Sequence, residues 1–249
     1  MMVLTEKAAA EWEAYVLRAY PNEACAYVVD GKLIPVANLS ETPTTTFVVD
    51  VVDRLKAEKL GEVQAFLHSH PYKLEESKQD DFPSWASTSD MRSWIADSIV
   101  WGIVATDGEG LSPMVWYDDS IGAIQPFEGR EFVSGKTDCY SLVRDYYRVK
   151  LGINLVNGAR GMYWWDNGED LYENNFKRAG FYEVALDEIR ENDVLLIRFQ
   201  GSVITHAAVL TGTNEIIHHC IRRLSGYDTL SKWSRQVAKA IRHERLRDA

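Results

Sequence analysis

The chain reads as two successive domains, an α/β unit over residues 1–118 and an α+β unit over residues 135–249, joined by a linker at 119–134. Three features predict this. Helix-like and strand-like segments alternate through the first half. A polar, turn-forming stretch, "DDSIGAIQPFEGREFVSGK", then interrupts the pattern. Beyond it, one helical segment is followed by consecutive apolar strands, the order expected of α+β proteins.

The elements follow from local chemistry. "TEKAAAEWEAYVLRAYP" is rich in Ala and Glu and stops at Pro21, which predicts a helix. In "ACAYVVDGKLIPVANL", Asp30-Gly31 divides two apolar runs, a hairpin signal. "DVVDRLKAEKLG" predicts a short helix closing at Gly61, and "EVQAFLHSH" a buried strand. "TSDMRSWIADS" predicts a helix feeding the strand "IVWGIVA", after which Asp107-Gly108 turns the chain into "LSPMVWY". The second half opens with the helix "TDCYSLVRDYYRVKLG" and continues to the strands "DVLLIRF", "SVITHAAVL" and "EIIHHC". The tail "KAIRHERLRDA" mixes basic and acidic residues and reads as a solvated end.

Bulk properties narrow the function. With 249 residues, 46% of them hydrophobic, the chain has material for one large core or two ordinary ones. A formal charge of −10 argues against non-specific binding to nucleic acid, which needs concentrated Lys and Arg. Cys25, Cys139 and Cys220 are too scattered for a disulfide framework, and no CxxC occurs. A reduced compartment is therefore expected. No apolar run approaches the roughly 18 residues of a membrane span. "MMVLTEKAAAEWEAY" lacks a basic start followed by an apolar run, so neither a span nor a signal peptide is expected.

Two stretches carry candidate chemistry. In "HSHP", His68 and His70 stand two apart on a strand and so project from one face, as chelation by two imidazoles requires. A catalytic zinc takes three protein ligands and keeps one position open. An aspartate would supply the third ligand, and a separate carboxylate the general base. The competing reading is a hydrogen-bonded histidine pair at a strand end. Downstream, S-x-x-D occurs twice, as Ser77 with Asp80 and as Ser87 with Asp90. With Glu23 in "PNEACAY", this pattern resembles the JAMM (JAB1/MPN) metallopeptidases over roughly residues 1–118. The resemblance implies a mixed-sheet domain that hydrolyses peptide or isopeptide bonds. It implies that His68, His70 and Asp90 bind zinc, that Glu23 activates water and that Ser87 steadies the oxyanion. Asp80 lies at the shorter spacing from His70, whereas Asp90 opens the helix leading to a buried strand, where the family ligand sits.

Cys139 follows Thr137 and Asp138, both good N-cap residues, at a helix start where the backbone favours an anion. A nucleophile also needs a base and a group that orients the base. His206 and His218 lie in successive strands around "TGTN". A three-residue loop would oppose His206 to His218, and a four-residue loop would oppose it to His219. Packing of a buried cysteine and satisfied core histidines is the competing reading. The order of these residues, with "ENDVLLI" and "THAAVL", resembles the NlpC-type cysteine peptidases over about 128–249. That implies a papain-like core with Cys139 as nucleophile, His206 as base and His218 as orienting residue. Bacterial members cut the peptide stems of peptidoglycan.

The two resemblances in tandem are similar to the organisation of tail-tip proteins of siphophages. The pairing implies phage tail-tip proteins as partners and a host-cytoplasmic stage of assembly, with a possible place at the virion tail tip. It also leaves open a structural assembly role in which neither pocket turns over substrate.

Overall fold

The computed structural model describes residues 4–72, 83–97, 99–118, 124–199 and 201–247. The chain divides into two compact units, Met1–Ala86 with Ser93–Ser120, and Ile121–Ala249 with Ser87–Arg92.

In the first unit, helix α1 (Glu6–Ala19) starts where the Thr5 side chain accepts the Ala8 N–H, a cap that satisfies an otherwise orphan donor. The expected hairpin forms between β1 (Cys25–Val29) and β2 (Lys32–Val36), with Val29 opposite Lys32. Asp30 and Gly31 both take positive φ, 48° and 73°, as a tight turn between twisted strands demands. Helix α2 (Val51–Leu60) is capped by Asp50, which accepts the Val52 N–H. Strand β3 (Val63–Pro71) pairs antiparallel with β1 and parallel with β4 (Val100–Thr106). Helix α3 (Thr88–Ala96) makes the crossover between these parallel strands. Strand β5 (Val115–Tyr117) is shorter than "LSPMVWY" suggests, because Pro113 has no N–H for a ladder. The sheet order is β2-β1-β3-β4-β5.

Each face of this sheet has its own composition. Ala65 and Leu67 of β3 pack with Val28, Val104 and the α1 residues Trp12 and Val16. The alternate residues, Phe66 and His68, face Phe47 and Trp101 instead. The histidine pair therefore lies on the side away from α1.

In the second unit, α4 (Cys139–Leu151) begins at its cap Asp138 and ends at Gly152, whose φ of 64° suits a left-handed C-cap. A 3₁₀ turn (Trp164–Asn167) and α5 (Leu171–Asn175) precede six antiparallel strands. These are β6 (Phe181–Val184), β7 (Val194–Ile197), β8 (His206–Gly212), β9 (Glu215–His218), β10 (Gly226–Thr229) and β11 (Val237–His243). The order across the sheet is β10-β9-β8-β7-β11-β6. Both faces are covered. Leu196, Ala207, Val209 and Ile217 pack against Leu142, Val143 and Tyr147 of α4, while Leu195, Ile197, Ala208 and Ile216 pack around Trp233 of the short helix α6 (Leu230–Trp233). That double burial explains the near-continuous apolar runs.

Two departures from the sequence expectation stand out. Residues 124–134, within the expected linker, are held by Arg130, which binds Asp145 (2.6 Å) and the carbonyls of Gln125 and Pro126, while its amide reaches Ser225 Oγ (2.9 Å). The tail expected to be solvated contains β11, an interior strand in which Ala240 and Ile241 are buried. Its charges are neutralised by distant partners. Arg242 forks onto buried Asp193 at 2.8 Å on both oxygens, and Lys239 reaches Glu173 and Glu183. Arg242→Met strands the Asp193 carboxylate without its counter-ion and should lower stability by about 3 kcal/mol. Urea unfolding followed by circular dichroism measures this, and a change within about 0.5 kcal/mol would be that of a solvated surface residue.

Candidate active site

The register of β1 against β3 builds the first cluster. Cys25 lies opposite His68, and the pairing continues outward through Ser69, whose N–H donates to the Ala24 carbonyl (3.0 Å) and whose Oγ accepts the Ala24 N–H (2.9 Å). Carried one step further, this register sets Glu23 across from His70. Glu23 is buried, and its backbone is held by Pro43 and Asn38.

His68 and His70 share a face, with their Nε2 atoms 3.0 Å apart. His70 Nδ1 lies 2.6 Å from the Pro83 carbonyl, which can only accept, so Nδ1 carries the hydrogen and Nε2 offers its lone pair. His68 is fully buried between Phe47 (ring centroids 4.7 Å apart) and Trp101 (5.6 Å). Helix α3 is continuous across the unit division, and Trp94 in its second half packs edge-on against Tyr117. Asp90, the expected third ligand, lies in Ser87–Arg92, the segment that groups with the second unit.

The "STSD" motif also has a local duty. Ser87 N–H donates to Asp90 Oδ2 (2.8 Å), and Asp90 N–H donates to Ser87 Oγ (3.1 Å), a reciprocal cap that starts α3. Ser77 and Asp80, the alternative pair, lie outside the described residues.

The second cluster is built around the head of α4. Asp138 accepts the Ser141 N–H (2.9 Å) and the Gly135 N–H (2.8 Å), and Arg160 grips both its oxygens at 2.7 and 3.0 Å. Burial would raise the Asp138 carboxyl, but Arg160 and these amides outweigh it and hold the group below the usual carboxylate range. Arg160 also donates to Ser141 Oγ (2.7 Å) and to the carbonyl of Gly158 (2.6 Å), so it ties an irregular segment to the helix start.

Cys139 Sγ lies 3.2 Å from the Tyr172 hydroxyl. The thiol is pushed up to about 11, first by burial and then by the Asp138 carboxylate. Tyr172, the Ala207 amide and Arg160 pull the other way without prevailing. The expectation of a readily ionised thiol is therefore corrected. The helix start carries an anionic cap beside the sulfur and excludes the water that would solvate a thiolate.

His206, on the residue before that Ala207 amide, turns its Nε2 to His218 Nδ1 at 3.0 Å. Neither expected register occurs. Ala208 stands opposite His218, and an irregularity between Leu210 and Gly212 shifts the hairpin. The two rings still meet because residues 206 and 208 share a face. His219 points elsewhere, with Nε2 3.2 Å from the Arg223 carbonyl and its ring against Phe132. Burial lowers His206 to about 3 and His218 to about 4, so both rings are neutral at physiological pH.

Three residues of this cluster were not anticipated. Arg160 comes from irregular chain, and Tyr172 from α5, a five-residue helix too short to give a periodic signal. Cys220 lies 3.5 Å from His218 Nδ1 and 3.8 Å from His206 Nε2, and its two-residue spacing from His218 was the signal that could have found it. Among the described residues, no helix is long and apolar enough to cross a membrane.

Comparison with known proteins places the chain among relatives. Residues 125–242 match the NlpC/P60 family. A solved NLP/P60-family structure from Staphylococcus aureus aligns over 51% of this chain and 45% of its own, at 19% identity and a TM-score of 0.35, too remote to bear on the site. Tail tip assembly protein K of Escherichia phage N15 is 29% identical, covering 94% of this chain and 93% of that protein. Its counterpart from Escherichia phage lambda is 34% identical, covering 78% of this chain and 89% of that protein. At that identity and coverage, the chain belongs to the tail tip assembly protein K family, and its C-terminal half is an NlpC/P60 domain.

Proposed function

We propose that the C-terminal unit is a cysteine peptidase that opens peptide stems of peptidoglycan, and that the N-terminal unit is a zinc peptidase or isopeptidase. The protein acts with phage tail-tip proteins, is made in the host cytoplasm and is carried to the tail tip. The observation that supports the thiol chemistry is the 3.0 Å contact between His206 and His218, beside the strand whose Ala207 amide faces Cys139.

At neutral pH the resting groups are a thiol and a neutral imidazole. The proton therefore leaves Cys139 Sγ for His206 as the sulfur–carbon bond to the substrate carbonyl forms. With Nε2 turned to His218, Nδ1 is the nitrogen that takes it. His206 then gives that proton to the departing amine as the carbon–nitrogen bond breaks, and water releases the acyl group. The Tyr172 hydroxyl, beside the sulfur, is the side-chain donor positioned to steady developing negative charge.

For the N-terminal unit, the donor set fits zinc. His70 is locked as an Nε2 acceptor and His68 presents Nε2 beside it, and by the family resemblance Asp90 would supply the third ligand and leave one position open. Zinc, when bound there, would supply Lewis acidity toward a carbonyl. Glu23, across from His70 in the register, would accept a proton from attacking water, and Ser87 Oγ, which accepts the Asp90 N–H, still has a hydroxyl hydrogen to offer the substrate oxygen.

A second reading is an assembly factor with pockets that bind without turnover. The buried Cys139, engaged by Tyr172 and held as a thiol, favours it.

Three outcomes separate these readings. Muropeptide release should fall about 10³-fold or more in Cys139→Ala. Equal release by both proteins would remove the thiol mechanism and leave the C-terminal unit the assembly role. In the substrate-free protein, alkylation of the Cys139 peptide, followed by mass spectrometry, should accelerate about tenfold per pH unit from roughly pH 7 to 9, because the thiolate fraction grows with pH below the raised value. A plateau near neutrality would mean a preformed ion pair. The double variant His68→Ala, His70→Ala should lose about one equivalent of bound zinc by elemental analysis. Unchanged zinc would remove the metal from the N-terminal unit.

A further inference from the structure

Cys220 is not needed for the thiol chemistry, yet its sulfur points at both imidazoles of that site. We propose that His206, His218 and Cys220 form a second metal site, in the C-terminal unit, that takes a borderline-soft divalent ion such as zinc and silences the cysteine peptidase when filled.

The geometry carries this assignment. His206 Nε2, His218 Nδ1 and Cys220 Sγ are separated by 3.0, 3.5 and 3.8 Å. A tetrahedral zinc with bonds of about 2.0–2.1 Å to nitrogen and about 2.3 Å to sulfur spaces its ligands by roughly 3.3–3.6 Å. Adjustments of a few tenths of an ångström bring the three donors onto one centre, with a fourth position left over. Two imidazoles and a thiolate favour zinc over calcium or magnesium, which prefer oxygen.

The surroundings also suit a ligand set. Asp228 Oδ2 lies 3.9 Å from Nε2 of His218, the nitrogen turned away from the other two donors, where a carboxylate commonly orients a metal-bound histidine. Lys232 (2.6 Å) and Trp233 Nε1 (3.1 Å) fix that carboxylate. Trp233 also flanks both rings, with centroids 4.7 Å from His218 and 5.6 Å from His206.

On binding, the Cys220 S–H bond breaks and its proton leaves to solvent, the hydrogen on His206 Nε2 shifts to Nδ1 of the same ring, and the sulfur and the two facing imidazole nitrogens bond to the metal. No oxidant or reductant is involved. With the cation on Nε2 and the hydrogen moved to Nδ1, His206 has no lone pair left to take the Cys139 proton. The cation also takes Nδ1 of His218 away from its contact with His206. This silencing rests on the reading of His206 as the base, whereas the metal site does not.

Cobalt(II), titrated into the full-length protein, is the probe. A thiolate-to-cobalt charge-transfer band in the near ultraviolet is expected in the wild-type protein, in Cys139→Ala and in His68→Ala, His70→Ala. It should disappear in Cys220→Ser, with cobalt affinity at the site reduced about tenfold or more. Absence of the band from the wild-type protein overturns the site regardless of how any variant folds, and so does a band that survives Cys220→Ser. Muropeptide release measured with and without zinc, as a ratio within each protein, tests the silencing. Zinc should slow the wild type at least about tenfold more than Cys220→Ser. Equal slowing overturns the silencing. If Cys139→Ala releases as much as wild type, the thiol mechanism has failed, and the cobalt band still decides the metal site.

Discussion

The Asp138 carboxylate at the head of α4 is the constraint around which the C-terminal unit is arranged. It satisfies two backbone donors, cancels the charge of a buried guanidinium and stands next to the sulfur. Arg160, fixed by that carboxylate, in turn holds the carbonyl of Gly158 and the Ser141 hydroxyl. A buried ion pair of this kind contributes little net stability against an apolar replacement, but losing one partner is costly. Its effect here is positional, since it fixes where the cysteine begins its helix.

Much of the architecture was legible because it rests on local chemistry. Asp138 caps the helix that its residue type predicts, and Asp30-Gly31 makes the turn its residue types require. Strand β11 was not legible. "KAIRHERLRDA" reads as a solvated end of mixed charge until Asp193, Glu173 and Glu183, far away in sequence, arrive to neutralise its Arg242 and Lys239.

The candidate sites divide in the same way. The convergence of His68 with His70 follows from strand alternation alone. That of His206 with His218 follows from alternation plus a hairpin, although the irregularity near Leu210 moved the register by more than loop length suggested. Tyr172, in the five-residue α5, and Arg160, in irregular chain, reach Cys139 and Asp138 from 33 and 22 residues away, where no period is long enough to count. The charge state of the thiol was misjudged for a related reason. A helix start favours an anion only where its cap is not already one and where solvent is admitted.

Strand β2 is one of the two outer members of the five-stranded sheet, and Pro35 sits within it. A proline has no hydrogen to offer a neighbouring backbone, so that border is a poor template for a further strand. Such a border discourages stray edge-to-edge pairing. Neighbours that meet the first unit along this rim must recognise it through side chains.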